Sequence, residues 1–213
     1  MKRIHTILLS LMLCATGWSQ KAFRPEASLG VNFGITSSKV SFQPVISQSS
    51  LLGVNGGLTF RYISENHFGL IAELNLSQRG WKEVLADSTL NYSHRLTYLE
   101  IPFLTHLYFG NGNFRYFINL GPKLAILLND AETRNFPLTA NSNVEYEKKI
   151  DNMIDYGICA GTGLEIKTKI GSFLLEGRYC YGLSDVFSNA KSQYFSRSSN
   201  QVVSANLTYL IRL

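Results

Sequence analysis

The chain has 213 residues, a formal net charge of +5 and basic residues that are scattered along its length. This length fits a single domain. A mild and scattered positive charge gives no support for nucleic-acid binding. After the N-terminus, no stretch approaches the roughly 18 consecutive apolar residues of a membrane-spanning helix. A membrane location would therefore require β-strands.

The N-terminus has the pattern of a secretory signal peptide. A basic pair follows the initial methionine, residues 7–15 are mostly apolar, and Gly17 and Ser19 are small residues at the positions that precede cleavage. Such a segment is removed on export, and it is too short to span a membrane as a helix. We predict a signal peptide at residues 1–19 and one barrel domain at residues 20–213.

The rest of the chain is dominated by apolar residues at every second position, which is the period of a β-strand with two different faces. In residues 68–77, for example, Leu70, Ala72, Leu74 and Leu76 alternate with polar or small residues. Each segment is close to the 9–11 residues that a tilted strand needs to cross a bilayer. The eight segments are 28–35, 52–61, 68–77, 98–109, 115–126, 155–166, 173–183 and 203–213.

The connections between these segments alternate between long and short. Transmembrane barrels have short periplasmic turns and longer extracellular loops. The long connections are 37–49, 79–91, 129–152 and 184–201, and the short ones are 63–66, 110–113 and 168–171. Aromatic residues on the apolar face lie beside the short turns, as either an interfacial girdle or ordinary strand ends: Tyr62, Phe68, Phe109, Phe114 and Phe173.

The polar face decides whether the apolar face points inward or outward. It is rich in Gly, Asn and Ser with charges of both signs, which suits the narrow filled interior of eight strands better than a solvated surface. We therefore predict an all-β fold: an eight-stranded antiparallel up-and-down transmembrane β-barrel with its apolar face in lipid. The predicted lumenal charge network comprises Arg61, Glu73, Glu100, Lys123, Asp155, Glu165, Glu176, Arg178 and Arg212.

Glu100 is the sharpest test of that network, because a carboxylate within an apolar strand is costly unless it is paired. Asn111-Gly112 is a strong signal for a two-residue hairpin. A hairpin centred there places Glu100 directly opposite Lys123, Tyr108 opposite Arg115, and Phe109 opposite Phe114. Pro102 indicates a local bulge that could shift this register.

Cys159 and Cys180 lie on the lumenal face of one predicted hairpin. A turn centred between Lys169 and Ile170 places the two cysteines directly opposite each other, where they could form a disulfide in an oxidising compartment. A turn centred one residue later separates them and instead places Glu165 opposite Glu176. Both registers are compatible with the sequence.

The candidates for catalysis are weak. His106 is lumenal, but a general base needs a nucleophile within reach, and the chain has no Gly-x-Ser-x-Gly motif. Glu165 and Glu176 could resemble an acid–base pair, although membership of the charge network explains them better. The His and Cys residues show no metal-ligand spacing. We expect a protein that is not an enzyme, with no catalytic, metal-binding or cofactor-binding residue and no cofactor.

Several stretches in order resemble the PorT-like family of outer-membrane β-barrel proteins of Gram-negative bacteria. They are ELNLSQRG at 73–80, YLEIP at 98–102, GPKLAILL at 121–128, DYGICAGTGLE at 155–165 and RYCYGLSD at 178–185. The resemblance covers most of the chain after the signal peptide. It implies an eight-stranded barrel in the outer membrane, but it does not imply a shared activity.

The predicted role is therefore a structural or interaction function at the cell surface, through the long loops. The expected partners are outer-membrane lipid, the barrel-assembly machinery during insertion, and envelope or secretion proteins. Three alternatives stay open at this point. They are a component of a protein-secretion or envelope-assembly machine, a lipid-modifying outer-membrane enzyme, and a soluble lipocalin-like ligand carrier with the apolar face inside.

Overall fold

The computed structural model describes residues 23–84, 90–110, 112–136, 150–188 and 196–213. The predicted signal peptide lies outside these residues. No helix in this part of the chain is long and apolar enough to cross a membrane. The eight strands are β1 (Glu26–Gln43), β2 (Gln48–Glu65), β3 (Phe68–Glu83), β4 (Tyr92–Phe109), β5 (Phe114–Arg134), β6 (Ile154–Thr168), β7 (Gly171–Gly182) and β8 (Arg197–Arg212).

The strands form one closed barrel in which each pairs antiparallel with its sequence neighbour, and β8 pairs with β1. This confirms the predicted eight-stranded antiparallel up-and-down architecture. Closure matters physically because it leaves no strand edge with unpaired backbone groups, which lipid could not satisfy. The β1–β8 ladder that closes the ring extends from Ser28–Arg212 to Gln43–Arg197.

Apolar side chains point outward over the middle of the barrel and its short-turn end. On β1, Val31, Phe33 and Ile35 are exposed, whereas Asn32 and Thr36 between or beside them are buried. The outward apolar residues form a band that ends near Ile35 on β1, Leu76 on β3 and Leu99 on β4. At the short turns, the outward aromatic residues include Tyr62, Phe68, Phe109 and Phe114, each at least 38% exposed.

The strands continue well beyond this apolar band at the long-loop end. The connection predicted at 37–49 is only 44–47, since β1 runs to Gln43 and β2 starts at Gln48. The predicted bounds of the other long connections are also wrong, because the structure has them at 84–91, 135–153 and 183–196. The short turns are 66–67, 110–113 and 169–170.

The two faces exchange character in this extension. Inward positions above the band become apolar, and outward positions become polar or basic, as in Lys39, Lys82 and Arg95. The inward residues form a core in which the Phe42 and Trp81 rings meet edge to face at 5.3 Å. We call this core the outer cluster: Val40, Phe42, Trp81, Tyr92, Leu96, Tyr98, Ala125, Val186 and Phe187.

The predicted register between β4 and β5 is wrong by two residues. Glu100 pairs with Ala125, and the residue opposite Lys123 is Pro102. The predicted pairs of Tyr108 with Arg115 and of Phe109 with Phe114 are wrong for the same reason. Tyr108 and Phe109 instead face Phe117 and Tyr116.

The cause is the turn between β4 and β5, which is longer than a two-residue hairpin. Gly110 and Gly112 both have positive φ, at 107° and 84°, and the connection spans 110–113. A shift of two residues keeps every side chain on its predicted face, because the strand period is two. The register irregularity of this strand pair lies between Thr97 and Tyr98, not at Pro102.

Candidate functional site

Arg178 on β7 organises the middle of the lumen. Its guanidinium donates to both carboxylate oxygens of Glu73 on β3, at 2.8 and 2.7 Å. It also donates to Glu176 two residues away on its own strand, at 2.8 and 3.1 Å. All three side chains are nearly fully buried. Since β3 and β7 are not neighbours in the barrel, these bonds tie opposite walls together across the lumen.

A second cross-lumen ion pair lies nearer the short turns. Arg61 on β2 is 2.8 Å from Glu165 on β6, with both side chains at most 1% exposed. Amide side chains add further hydrogen bonds in this part of the lumen: Asn32 donates to Asn75 at 2.8 Å, and Asn119 donates to Glu176 at 3.0 Å. The buried charges of both groups therefore have partners of opposite charge, as burial of a charge requires.

The third ion-pair group lies toward the long-loop end and includes Arg79, which the sequence prediction missed. The Arg79 guanidinium is 3.1 Å from Asp155 and 3.3 Å from Glu100. Lys123 is 3.5 Å from Asp155 and 3.9 Å from Glu100. The structure thus places Glu100 nearer to Arg79 than to the Lys123 partner that the register argument chose. Arg79 lies two residues past Ser77 on the lumenal face, and that spacing was the signal that could have identified it.

Arg212 is placed differently from the other residues predicted for the network. Its side chain is 64% exposed at the short-turn mouth, where it lies 3.7 Å from Glu26. It faces inward by position but belongs to the rim rather than to the buried lumen.

Apolar groups close both ends of the polar lumen. At the short-turn end, the inward residues Ile63, Tyr108, Phe117, Leu174 and Leu210 form a buried cluster. The outer cluster closes the other end. A lumenal cavity beside Glu100 and Arg178 measures only about 20 Å³, which is room for a single water molecule. The barrel therefore has no continuous aqueous passage among the described residues.

Cys159 and Cys180 face each other across β6 and β7 and are joined by a disulfide. The structure thus has the register in which the two cysteines are opposite, and Glu176 faces Gly163 rather than Glu165. Glu100 lies close enough to both sulfurs to suggest a metal site by distance alone. Sulfurs joined in a disulfide are not thiolate ligands, so this group does not fit a metal ion.

His106 lies in the lumen, and its Nδ1 is 2.7 Å from Asn119 Oδ1. The rings of Phe117 and Tyr108 pack beside it, at 5.2 and 5.9 Å. The structure thus places His106 against an amide and two aromatic rings in the lumen. Glu165 pairs with Arg61 and Glu176 pairs with Arg178, so each carboxylate has an arginine as its partner rather than the other carboxylate.

His94 is a buried titratable side chain in the extension above the apolar band. Its ring stacks at a tilt on Trp81, with 4.7 Å between centroids, and lies 3.5 Å from both Asp130 and Glu132. Burial lowers the pKa of His94, and the two carboxylates oppose that shift only in part. The outer cluster therefore packs against a neutral imidazole near neutral pH.

Comparison with known proteins gives one family match and several similar folds. The family model of the outer membrane protein β-barrel domain matches residues 18–188. The attachment invasion locus protein Ail of Yersinia pestis is similar at 14% identity and a TM-score of 0.45, over 87% of this chain and 99% of that chain. Neisserial surface protein A gives 14% identity and a TM-score of 0.45, over 86% of this chain and 97% of that one.

The outer membrane enzyme PagL is similar at 13% identity and a TM-score of 0.40, over 84% of this chain and 98% of that chain. A comparison with curated protein sequences finds no significant match.

Proposed function

The chain belongs to the outer membrane protein β-barrel domain family and lies in the outer membrane of a Gram-negative bacterium, and from that premise we propose that it is a non-enzymatic surface protein that binds partners through its extracellular end. The short turns are then periplasmic and the long loops extracellular. The alternative of a soluble lipocalin-like carrier is wrong, because the apolar face points outward into lipid and the polar face fills the lumen.

The observation that carries this proposal is the extension of the barrel wall above the bilayer. The outer cluster gives the extension its own apolar core, so the strand ends are held as a rigid base for the loops. Strands that end at the membrane surface would not need such a core. The described exposed residues at this end include Val45, Val84, Leu90 and Met153.

The filled lumen supports a role other than transport. Eight strands enclose little more than side chains, and apolar clusters close the lumen at both ends. We expect the protein to produce no single-channel conductance in planar lipid bilayers. Stable conductance steps from the wild-type protein would contradict this part of the proposal.

Site-specific photo-crosslinking in living cells tests the interaction role. A photoreactive residue replaces Val45 or Val84 at the extracellular end, and Glu65 or Ile170 at the periplasmic turns serves as the matched control. All four side chains are exposed. We expect discrete crosslinked products only from the extracellular positions. Products only from the periplasmic turns would overturn the proposal.

The second candidate is membership of a secretion or envelope-assembly machine, as a PorT-like protein. The motifs of the sequence resemblance lie in order on β3 to β7, and that resemblance raises this candidate without implying a shared activity. Those motifs carry many of the lumenal residues, including Glu73, Glu100, Lys123, Asp155 and Arg178, so they bear on how the barrel is built more than on what it binds. Periplasmic crosslinks together with loss of a secreted product on deletion would favour this candidate.

A lipid-modifying enzyme is the remaining alternative. The outward residues within the apolar band are almost all apolar, which leaves few groups to act on a lipid from the membrane side. We expect the mass spectrum of lipid A to be unchanged when the gene is deleted. A missing or added acyl chain in the deletion strain would favour the enzyme instead.

A further inference from the structure

The periplasmic rim of the barrel has a notch between β8 and the turn that joins β6 to β7. The β1–β8 ladder extends to the Ser28–Arg212 pair, whereas the β7–β8 ladder starts at the Ser172–Leu210 pair. The last residues of β8 are therefore paired on one side only. The space beside them is a cavity of about 290 Å³ that opens at the rim.

The charged side chains that line the notch are mainly basic. Lys167, Lys169 and Arg212 line it together with a single carboxylate, Glu26. Glu26 lies 3.5 Å from Lys167 and 3.7 Å from Arg212, so one carboxylate is shared by two cations. Lys169 has no ion-pair partner among the described residues. These four side chains leave an excess of positive charge in the notch.

The backbone adds a donor to this charge. The N–H of Leu213 donates to the carbonyl of Ala27 on β1. Backbone groups of successive strand residues point in opposite directions within the sheet. The N–H of Arg212 therefore points away from β1 and into the notch, beside the cationic side chains.

The lipid-facing edge of the notch is apolar. Ile170 at the turn is 71% exposed and Ile211 on β8 is 52% exposed. Tyr209 stands between them, and its hydroxyl donates to the carbonyl of Ile170 at 2.6 Å. The notch is therefore apolar on the side that faces the bilayer and basic at the periplasmic surface. This is the change in polarity that a phospholipid shows between its acyl chains and its phosphate.

The geometry points to a binding site for an anionic phospholipid of the periplasmic leaflet. The phosphate would lie against Lys169, Arg212 and the Arg212 N–H, and the acyl chains would lie along Ile170 and Ile211. Basic pockets at membrane interfaces bind anionic headgroups in this way. The site is at the opposite end of the barrel from the loops, so its occupancy does not depend on the proposed surface function.

Native mass spectrometry of the full-length folded protein in detergent tests this inference, with phosphatidylglycerol as the probe. Lys169→Gln combined with Arg212→Gln is expected to weaken retention of phosphatidylglycerol roughly 30-fold, from about fivefold for each charge removed. The matched control is Lys82→Gln combined with Arg95→Gln, which removes one exposed lysine and one exposed arginine from the extracellular end. The control is expected to bind like the wild type. Equal weakening in both variants would overturn the assignment to the notch.

Two further arms separate the possible ligands. Phosphatidylethanolamine carries the same phosphate without net charge, and its retention is expected to change less than that of phosphatidylglycerol. Inorganic phosphate at the same concentration is expected not to displace the bound lipid. Displacement by inorganic phosphate would assign the notch to free phosphate and overturn the lipid assignment.

Glu26→Gln gives a prediction of opposite sign. Among the described residues, it removes the only acidic side chain that lines the notch, and we expect it to tighten binding of phosphatidylglycerol about fivefold. Unchanged or weaker binding would contradict an electrostatic site. The change in gel migration on heating verifies that each variant is folded. Lys169→Gln alone, at an exposed turn residue, replaces the double variant if that one does not fold.

Discussion

The same strands are built in opposite ways at two levels of the barrel. On β3, Glu73 points into the lumen and Leu74 points outward at the level of the bilayer, but higher on the strand Trp81 points inward and Lys82 points outward. The lower level is surrounded by lipid and the upper level by water. The comparison shows that the medium outside the wall determines which face is apolar, while the strand itself continues without a break.

The two levels are also held together by different forces. The lower level depends on ion pairs and amide hydrogen bonds across the lumen. The upper level depends on burial of apolar and aromatic side chains, as in a soluble barrel. Substitutions in the lower level should therefore change the stability of the whole barrel, whereas substitutions in the upper level should change that of the extension alone, and four experiments test this.

The largest effect is expected from Arg178→Met in the lumen. It leaves Glu73 and Glu176 buried without their cation, and breaking a buried pair from one side typically costs about 3–5 kcal/mol. Urea unfolding in detergent micelles measures the loss. Adding Glu73→Gln and Glu176→Gln to the same protein should recover much of it. A loss below about 1 kcal/mol would contradict the role given to this group.

Trp81→Ala in the outer cluster is expected to cost about 3 kcal/mol locally, because it removes a large buried side chain. The loss should be confined to the extension. Protease should then cut the connection between Val84 and Leu90 faster, while the heat-dependent gel shift of the barrel stays unchanged. Val45→Ala, at a side chain that is 87% exposed, is the control and should change neither readout.

Double-mutant cycles sharpen the assignment of partners to Glu100. The coupling between Glu100→Gln and Arg79→Met should be about 1–2 kcal/mol, and the coupling between Glu100→Gln and Lys123→Met should be smaller. The order follows from the distances of 3.3 and 3.9 Å. A larger coupling to Lys123 would restore the partner that the sequence suggested.

His94 gives the smallest effect, and it depends on pH. The pKa of His94 is lower in the folded extension than the ordinary value of 6.5. The stability of the extension is therefore not reduced by protonation of His94 above pH 6.5. As pH falls below 6.5, the unfolded chain takes up a proton first, and the extension loses at most about 1.4 kcal/mol per pH unit. The protection factors for hydrogen exchange of residues 92–96, compared at about pH 7.5 and about pH 5.5, measure this loss. His94→Asn should remove the difference between the protection factors at the two pH values.

The barrel itself could be predicted from the sequence because alternation survives errors in register. Glu100 and Lys123 are on the predicted face although they are two residues out of the predicted pairing, since a shift of two preserves facing. The predicted length of the turn between β4 and β5 is wrong because Asn111-Gly112 is a hairpin signal within a longer connection. Turn length is set by how the flanking strands pair, and a local pair of residues does not fix it.

The extension and Arg79 could not be found by the same rule. Above the bilayer the apolar residues move to the inward positions, so a search for outward apolar residues stops at Leu76 and treats the rest of β3 as loop. Arg79 lies in the last polar layer before that exchange, so the predicted connection at 79–91 includes it. The outer cluster residues Phe42, Trp81 and Phe187 come from three separate segments, so only the folded chain brings them together.

The disulfide between Cys159 and Cys180 has a consequence for the order of events in biogenesis. Both cysteines are buried in a lumen that is closed at each end. A periplasmic oxidase that acts by thiol–disulfide exchange needs direct contact with the sulfurs, and the described residues of the closed barrel do not offer that contact. An enzyme that forms the bond by thiol–disulfide exchange can therefore reach these sulfurs only before the ring of strands closes.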